Sequence, residues 1–455
     1  MINRNTDAIK ASPTKDLFIT MLVRDLTLRD AIGDLVDNSV DGAKSMRTEV
    51  LTESKTLEPS LVYKGLEIFI VANKNEFSIK DNCGGIDVAT AREYAFRFGR
   101  AKGKPNSPHS VGQFGIGMKR ALFKLGDSFS VKSKAETSQF EMNVNVPEWQ
   151  RNEGNWDFEF SSKKENIFIE ENERGTEIVV KNLNSDVQEQ FEDPLFMGKL
   201  REEIELEHLY NLNRGLVIKI NGFKLKNRSL DLIEHDKFKS AKWEKSYEDG
   251  MNVTIISGIS KDSSKDGGWY IFCNERLIVG PEQTELTGWT GRGGDGGPHY
   301  HSQYNRFRGY VFFEAENSAI LPWNTTKNGM DRDSPRFKQV RRKMIEQLKV
   351  VTAFLSIVKA EREQDNKDRP YEEMLNSASI VSISKYKETN YETKFTFPKI
   401  EVNKPKKINE SKISYSVLTS YLKDVKKELG VSKANEVGEL TFKYFYESEI
   451  GDYNE

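Results

Sequence analysis

The sequence contains few residues of the kinds that build covalent or metal-held frameworks. Its two cysteines, Cys83 and Cys273, lie far apart, and only five histidines are spread over 455 residues. This spacing excludes a disulfide framework, argues against a zinc site, and fits a reducing compartment.

Long hydrophobic runs and a large net charge are also missing. No run of about 18 apolar residues is present, and the first five residues, Met1-Ile2-Asn3-Arg4-Asn5, are polar. We therefore expect neither a membrane span nor a secretory signal, and a cytoplasmic location. With a formal charge of −2, the whole chain is not attracted to nucleic acid, so such a contact would need a local basic patch.

The composition that remains, 37% hydrophobic and 30% charged residues, is typical of a folded protein, and the length allows about three domains. Hydrophobic patterns predict an α/β domain over residues 1–185 and an α+β domain over 186–345. Ser334-Pro335 is a helix start, and a long helix is expected to continue through 346–364. Residues 365–412 have the composition of a linker, and residues 413–455 are expected to form a small helical module.

Alternation and periodicity locate the expected elements. A helix is predicted at 28–43, a second at 88–98, and a third at 113–125, directly after Gly112. Strands of the first domain are predicted at 66–70, 76–79, 140–146, 156–160, 167–170 and 177–180. Strands of the second domain are predicted at 216–220, 253–257, 269–272 and 309–313.

The first helix carries polar residues in the pattern Asp34-x-x-x-Asn38-x-x-Asp41. On a helix these positions lie within about 60 degrees of one another, so they form one polar face. An amide oxygen can bind a hard cation, and a carboxylate can orient and deprotonate water. The face therefore suits a magnesium-triphosphate site, although a solvated helix face gives the same pattern.

Two glycine segments follow. The first, Asp81-Asn82-Cys83-Gly84-Gly85-Ile86, places a carboxylate at the end of a predicted strand. The second, residues 112–120, reads Gly-Gln-Phe-Gly-Ile-Gly-Met-Lys-Arg and leads into a helix. Small residues let backbone amides approach phosphate oxygens, and a helix N-terminus favours negative charge. A hairpin turn and a flexible loop are the alternatives if each segment is read alone.

These segments, followed by Arg174-Gly175-Thr176, resemble in order and content the ATP-binding domain of the GHKL superfamily. The superfamily includes gyrase, the ninety-kilodalton heat-shock chaperone, sensor histidine kinases, MutL and MORC. The resemblance implies an N-terminal Bergerat α/β sandwich, with ATP and Mg²⁺ as ligands. Two positions depart from the family pattern: Asp34 stands where Glu is usual, and Cys83 stands at a glycine position.

The resemblance also assigns roles to residues. Asp34 would be the general base, with Asp37 as the reserve candidate, and its shorter side chain predicts slow hydrolysis. Asn38 would hold Mg²⁺, Asp81 would read adenine, and the segment from Gly99 to His109 would form a lid. The implied ATP contacts are Asn38, Asp41, Asp81, Gly85, Ile86, Gly112, Gln113, Phe114, Gly115, Ile116, Gly117, Met118, Lys119 and Thr176.

The second region resembles the ribosomal-S5-like transducer of MORC-type and MutL-type ATPases in two segments. These are Phe272-Cys273-Asn274-Glu275-Arg276-Leu277-Ile278 and the stretch from Pro322 to Asn328. The resemblance implies that Lys327 reaches the γ-phosphate and assists catalysis. Among the families, a prokaryotic MORC-like protein is the best fit.

The expected function is therefore an ATPase that converts ATP to ADP and phosphate, closing as a homodimeric clamp on DNA when ATP binds. A role in a defence or restriction-like system, with an operon-encoded protein partner, is compatible with this. The alternative is a protein-remodelling ATPase like the heat-shock chaperone, or an ATP-switched scaffold. A sensor kinase is disfavoured, because none of the five histidines lies in a recognisable phosphoacceptor helix. A MutL-type nuclease is disfavoured by the lack of a metal constellation after residue 360.

Overall fold

The structure is a computed structural model of the chain. It describes residues 13–53, 61–99, 109–111, 115–261, 264, 266–291, 296–324, 326–363, 369–389, 391–400 and 411–451. The chain divides into two compact units, Met1–Pro398 and Lys399–Glu455. None of the described helices is long and apolar enough to cross a membrane.

The first unit contains two mixed sheets, and the first of them has eight strands. Its order is β5-β4-β3-β6-β2-β1-β7-β8, with antiparallel neighbours except for the parallel pair β1 and β7. The strands are β1 (Glu67–Ala72), β2 (Glu76–Asp81), β3 (Gly126–Lys134), β4 (Ser138–Asn145), β5 (Phe160–Glu165), β6 (Gly175–Leu183), β7 (Val217–Ile220) and β8 (Phe223–Lys224).

Helices cover this sheet and connect it to the second sheet. They are α1 (Lys15–Val23), α2 (Leu28–Glu53), α3 (Val88–Thr90), α4 (Gly117–Leu125), α5 (Val146–Arg151), α6 (Ser185–Glu192), α7 (Pro194–Glu207) and α8 (Leu209–Asn213). Helix α2 packs on α4. The apolar face of α2 is fully buried in the first core through Ala31, Ile32, Leu35, Val36, Val40 and Ala43. Burial of these side chains fixes the rotation of α2, and hence the direction of its polar face.

The second sheet follows in the chain. Its order is β13-β12-β14-β11-β9-β15, and β10 pairs with β11. The strands are β9 (Asp231–Glu234), β10 (Ala241–Ser246), β11 (Asn252–Ile259), β12 (Gly268–Cys273), β13 (Arg276–Glu282), β14 (Phe307–Glu314) and β15 (Ser379–Ser382). Strands β12 and β14 are parallel, and both are buried along most of their length. This agrees with the rule that parallel strands are covered on both faces.

A long helix, α9 (Pro335–Arg362), packs against β11 and β14. It begins as the sequence predicted: the Ser334 hydroxyl accepts a hydrogen bond from the Phe337 amide, and Pro335 occupies the first turn. Such a cap satisfies an amide that has no partner within the helix. Helices α10 (Pro370–Ser377) and α11 (Ile383–Glu388) complete the helices described in the first unit.

Four sequence expectations about individual elements differ from the structure. The strand predicted near 216–220 as part of the second region pairs with β1 in the first sheet. Residues 167–170 are not a strand. The strand expected at 156–160 begins only at Phe160 and continues to Glu165, as β5. The helix predicted at 88–98 is short, because α3 continues as one π turn over Ala91–Ala95.

The expected linker is the largest difference. Within 365–412, the described residues 369–389 and 391–398 contain α10, β15 and α11. Six of their apolar side chains are buried, namely Tyr371, Met374, Leu375, Ile383, Tyr386 and Phe395, whereas Ile380 and Tyr391 are exposed. The composition is too polar to form a core alone, but these side chains dock on a core that the rest of the unit supplies.

The second unit contains α12 (Thr419–Leu429) and α13 (Ala434–Glu449), which pack on each other. Gly430 ends α12 in the left-handed conformation, with φ of 69°, the usual way to stop a helix. Val437 is the buried apolar residue among those described in this unit. The described residues of this unit therefore form two helices, α12 and α13.

Candidate functional site

The polar face of α2 divides into buried carboxylates and an exposed amide. Asp34 and Asp37 are 6% and 1% exposed, whereas Asn38 is exposed. Asp41, one turn further, accepts hydrogen bonds from the Val111 amide at 2.8 and 2.9 Å. Asp41 thereby holds the chain immediately before the predicted glycine loop.

Asp81 lies at the end of β2 and is fixed from three sides. Its carboxylate accepts hydrogen bonds from the Ser39 hydroxyl at 2.6 Å, the Cys83 amide at 2.9 Å and the Thr176 amide at 3.2 Å. Burial raises the pKa of the Asp81 carboxyl, and these three donors oppose that rise. Ser39 was not predicted as a site residue, although its position directly after Asn38 placed it on the correct helix.

Ile86 and Thr176 meet at a shared buried hydroxyl. The Ile86 amide donates to Ser133 Oγ at 2.6 Å, and the hydroxyl oxygens of Ser133 and Thr176 are 3.2 Å apart. Ile86 and Thr176, two predicted ATP-contact residues that are 90 positions apart in the chain, are thus connected through Ser133 of β3. Ser133 carried no motif and was missed for that reason.

Two glycines of the predicted motifs are closely packed. Gly85 has φ of 73°, and a Cβ atom there would lie 2.0 Å from the Lys134 carbonyl oxygen. At Gly117, the first residue of α4, a Cβ atom would lie 3.0 Å from Cγ of Asp34. The position of Gly85 therefore needs a residue without a side chain, whereas a side chain at Gly117 would require Asp34 to shift slightly.

The glycine loop is described only in part. Gly112, Gln113 and Phe114 lie outside the described residues, as does most of the expected lid. Gly115 and Ile116 precede α4, and Met118 is buried. Lys119 is also buried, and its ammonium donates to the carbonyl of Ala95 at 2.8 Å and to that of Gly115. In this structure the Lys119 charge therefore supports the loop.

Asp34 is held by two cations from different parts of the chain. Arg120, in the first turn of α4, donates to Asp34 Oδ2 from Nε at 2.8 Å and from Nη2 at 2.6 Å. Lys327 donates to the other oxygen, Oδ1, at 3.2 Å. The proposed base and the proposed phosphate-binding lysine are thus in contact, whereas Arg120 was not predicted.

Lys327 bridges two carboxylates of α2. Its ammonium also donates to Asp37 Oδ2 at 2.9 Å. Burial would lower the pKa of Lys327, but Asp37 and Asp34 outweigh this and raise it, so the side chain is charged. The residue has φ of 58°, an unfavourable backbone region for a side-chain-bearing residue. Such strain persists only where surrounding contacts fix the conformation, and here the two ion pairs supply them.

Asp37 is the centre of a buried charge network. It accepts from Arg276 and Lys327, and its other oxygen is 3.7 Å from Nε2 of His208. Burial alone would raise the pKa of Asp37, but the cations Arg276 and Lys327 hold it below its usual range. Asp37 is therefore an ion-pair partner with low proton affinity, which argues against its reserve role as the general base.

Arg276 extends this network to Glu207 at the end of α7, with a distance of 2.7 Å. Burial raises the pKa of Glu207 to about 7, against the attraction of Arg276. His208 is fully buried, and burial lowers its pKa to about 4. The neighbours of Asp37 in this network therefore include the charged Arg276, the neutral His208, and Glu207, whose pKa is about 7.

The turn between β12 and β13 carries further contacts to α2. Lys44 donates to the carbonyl of Asn274, and the Asn274 side chain donates to the carbonyls of Ser110 at 3.2 Å and Ala315 at 3.0 Å. This turn belongs to the segment that resembles a transducer motif. It lies where the second sheet meets the helix that carries Asp34 and Asn38.

The described residues could bind a magnesium ion that is coordinated mainly by the phosphates of a bound nucleotide and by water. Among them, no group of three or more histidine, cysteine, aspartate or glutamate residues could hold a metal ion. Mg²⁺ keeps several waters and is usually bound through one or two protein oxygens together with substrate phosphates. The exposed amide of Asn38 provides one such oxygen, so the donor set fits this mode of binding.

Comparison with known proteins agrees with this geometry for one part of the chain. Residues 26–178 match the family model described as Histidine kinase-, DNA gyrase B-, and HSP90-like ATPase. No curated protein matches the chain. The matched segment runs from the start of α2 to β6 and includes Asp34, Asn38, Asp81 and Thr176. The match supports assignment of residues 26–178 to an ATP-binding domain of the GHKL type.

Proposed function

We propose that this protein binds ATP with Mg²⁺ beside α2 and hydrolyses it slowly to ADP and phosphate. One observation carries the proposal: Lys327 lies 293 positions from Asp34 in the chain, and its ammonium contacts the Asp34 carboxylate. A cation beside a candidate base suits a reaction in which negative charge develops on a transferred phosphoryl group.

Each side chain then has a definite task. Asp34 orients water and accepts its proton, and Lys327 neutralises charge on the phosphoryl oxygens. Asn38 holds Mg²⁺, which when bound would neutralise the phosphates and orient them. Asp81 keeps acceptor capacity on Oδ2, where Ser39 is the one described donor, and can receive the exocyclic amine of adenine.

Slow hydrolysis follows from the contacts of Asp34. Both of its oxygens accept hydrogen bonds from cations, Oδ2 from Arg120 and Oδ1 from Lys327. A general base must offer an oxygen to water, and only Oδ1, with Lys327 as its one described donor, keeps acceptor capacity for it, so water competes with two fixed cations for the carboxylate. We expect phosphate groups to draw Lys327 and Arg120 away, because both then gain a stronger anionic partner.

Calorimetric titration of ATP in magnesium, combined with a phosphate-release assay, tests the proposal. The intact chain should bind ATP, and Asn38→Ala should weaken binding in magnesium. Asn75→Ala, at an exposed turn position between β1 and β2, serves as the control and should bind as the intact chain does. No detectable affinity in the intact chain would remove the basis for the proposal.

We further propose that ATP binding closes a homodimer around DNA, as in MORC-like ATPases. The support is the resemblance of the segment around Lys327 to the transducer of that group. The basic stretch 336–343 contributes little free charge, since Arg336 pairs with Asp249 and Arg341 donates to backbone carbonyls. Arg342 is exposed and is the best candidate for a phosphate contact. The basic residues 404–407 lie outside the described residues.

Mass measurement with and without a non-hydrolysable ATP analogue tests dimerisation, and retention of long DNA at several salt concentrations tests the clamp. The analogue should double the mass and prolong retention, and salt should weaken initial binding through counterion release. If neither nucleotide nor salt alters DNA retention, the clamp is wrong while ATP binding stands. Suppressed aggregation of a denatured client without any DNA effect would instead favour protein remodelling.

A further inference from the structure

A cavity of about 370 Å³ lies in the second sheet of the first unit. It is bounded by β9, the ends of β11 and β12, strand β14 and the helices α7 and α8. None of its lining residues belongs to the candidate nucleotide site. Its volume is in the lower part of the range found for small-molecule sites.

A buried cation without an anion forms part of the wall. Arg308 on β14 is 5% exposed, and its Nη1 donates to the carbonyls of Asn305 at 2.8 Å and Phe307 at 3.0 Å. Within the described part of the chain, no carboxylate oxygen lies within 4 Å of this guanidinium, and no acceptor is found for Nε or Nη2. A buried charge is normally paired because its desolvation is costly. Arg308 therefore has three N–H groups and a charge available to a ligand.

The rest of the cavity combines further polar groups with an apolar surface. Tyr270 and Tyr310 lie side by side, with ring centroids 5.6 Å apart, and burial raises the pKa of Tyr270 to about 12, so its hydroxyl stays protonated. Three cations line the cavity, Arg308 and the exposed Arg228 and Lys261, against two acids. The apolar part is formed by Leu206, Leu209, Leu230, Leu232, Ile233 and Ile380.

We propose that this cavity binds a small organic oxyanion, with one carboxylate or phosphate group placed against Arg308 and an apolar body placed against the leucines. The guanidinium fork matches both kinds of oxyanion. The two lining acids, Asp231 and Asp266, lie outside ion-pair distance of Arg308, so they do not occupy its free N–H groups. Such a site is separate from the nucleotide site and does not depend on ATP binding.

Calorimetry and thermal unfolding of the full chain with three probes test the proposal: phenyl phosphate, benzoate and the neutral analogue phenol. At least one oxyanion should bind and raise the melting temperature, and phenol should do neither. Which oxyanion binds more tightly distinguishes a phosphate site from a carboxylate site. Arg308→Met should weaken the preferred oxyanion by at least about tenfold, because a charge-assisted hydrogen-bond pair is lost.

Arg151→Met, at an exposed arginine on α5, is the matched control and should bind as the intact chain does. Phenyl phosphate captured by the nucleotide site would be insensitive to Arg308→Met, and that result overturns the proposal, as does failure of both oxyanions to bind the intact chain. If Arg308→Met does not fold, Arg308→Lys and Tyr310→Phe replace it. These keep the charge or the ring, and unchanged affinity in both would equally overturn the proposal.

Discussion

At the residue scale, Asp34 is the group on which proposed hydrolysis depends. Asp34→Asn keeps the size of the side chain but removes the charge and the ability to accept a proton. We expect the turnover rate to fall by about 100-fold or more, while ATP affinity changes little, because adenine and magnesium are held elsewhere. Single-turnover phosphate release and calorimetry measure the two effects.

Asp127→Asn is the control for Asp34→Asn, since Asp127 is exposed at the start of β3. It should hydrolyse ATP at the rate of the intact chain. Unchanged hydrolysis in Asp34→Asn would show that the base is a different group. Asp37 is a poor substitute, because Arg276 and Lys327 hold its pKa low.

Gly85→Ala tests the close packing at the end of β2. The added Cβ would lie 2.0 Å from the Lys134 carbonyl oxygen, so the backbone would have to move, and the cost should exceed the usual penalty of about 1 kcal/mol for a side chain at positive φ. Gly65→Ala is the matched control, because Gly65 also has positive φ, 89°, but no atom within 4 Å of an added Cβ. Equal losses of unfolding free energy by denaturant titration would contradict the packing argument.

The sequence predicted the local motifs of the site better than its long-range pairs. Asp34, Asp81 and Thr176 could be proposed because each stands in a short segment with a recognisable pattern. The pairs Arg120–Asp34 and Arg276–Asp37 were not predicted. Their members are 86 and 239 positions apart, and no sequence pattern indicates a single ion pair over such a separation. Lys327 was proposed through a resemblance as a γ-phosphate contact, and its contacts to Asp34 and Asp37 were not predicted.

At the element scale, the contact between α2 and β13 depends on a buried ion pair. Arg276→Met leaves Asp37 with Lys327 alone and removes the partner of Glu207. Breaking a buried pair from one side costs about 3–5 kcal/mol, so the free energy of unfolding should fall by a large part of that amount. Denaturant titration measures the loss.

The control for Arg276→Met is Lys74→Met. Lys74 and Glu192 form an ion pair of 3.2 Å in which both side chains are 59% exposed. Exposed pairs contribute about 0–1 kcal/mol, so this variant should be nearly as stable as the intact chain. Similar losses in the two variants would mean that the Arg276 network does not hold the elements together.

His208, at the junction of α7 and α8, gives this contact a pH dependence. Its pKa is about 4 in the folded chain against an ordinary value of 6.5, so the unfolded chain binds more protons between these values. Stability from this group is complete above pH 6.5 and is lost as the pH falls toward 4. The slope is at most about 1.4 kcal/mol per pH unit.

Glu207 has the opposite effect, because its pKa is raised from 4.5 to about 7. Its contribution falls as the pH rises through that window, although 26% of its side chain is exposed, which reduces the slope. Denaturant titration of the intact chain and of His208→Gln at several pH values separates the two groups. The intact chain should lose stability relative to the variant as the pH falls below 6.5. A constant difference would contradict the assignment of a neutral buried histidine.

The elements that the sequence predicted well have strong local signals. Helix α9 was located by its cap and its apolar spacing, both of which act within a few residues. Strand β7 was recognised as a strand, but its partner β1 is 150 positions earlier in the register Ile68 to Ile218. Nothing local specifies such a pairing. The linker prediction for the segment around α10, β15 and α11 was wrong for the same reason, because these elements pack on a core that distant parts of the chain supply.

At the scale of the whole molecule, a chain of ion pairs connects Asp34, the proposed catalytic base, to the second sheet. Lys327 contacts Asp34 and Asp37, and Asp37 contacts Arg276 at the start of β13. A nucleotide that draws Lys327 away from Asp37 would leave Arg276 as the partner of that carboxylate. The state of the nucleotide would thereby change the electrostatic balance at β13, an edge strand of the second sheet.

The two compact units should separate in function. All described candidate site residues lie in Met1–Pro398. A chain that ends at Ile400 should therefore bind ATP within about twofold of the full chain, as expected for a unit with its own core. It should also keep the thermal stability of the first unit. Calorimetry and thermal unfolding of the truncated and full chains measure both quantities.

A shorter chain ending at Lys387 is the contrast to the truncation at Ile400. It also removes Thr393, whose backbone pairs with Lys242 at 2.9 and 3.0 Å, and Phe395, which is 6% exposed and packs on Phe238 and Phe354. Loss of a buried phenylalanine alone costs about 3–5 kcal/mol, so this chain should be markedly less stable. If the chain ending at Ile400 is folded but no longer binds ATP, the second unit contributes to the nucleotide site and the separation is wrong.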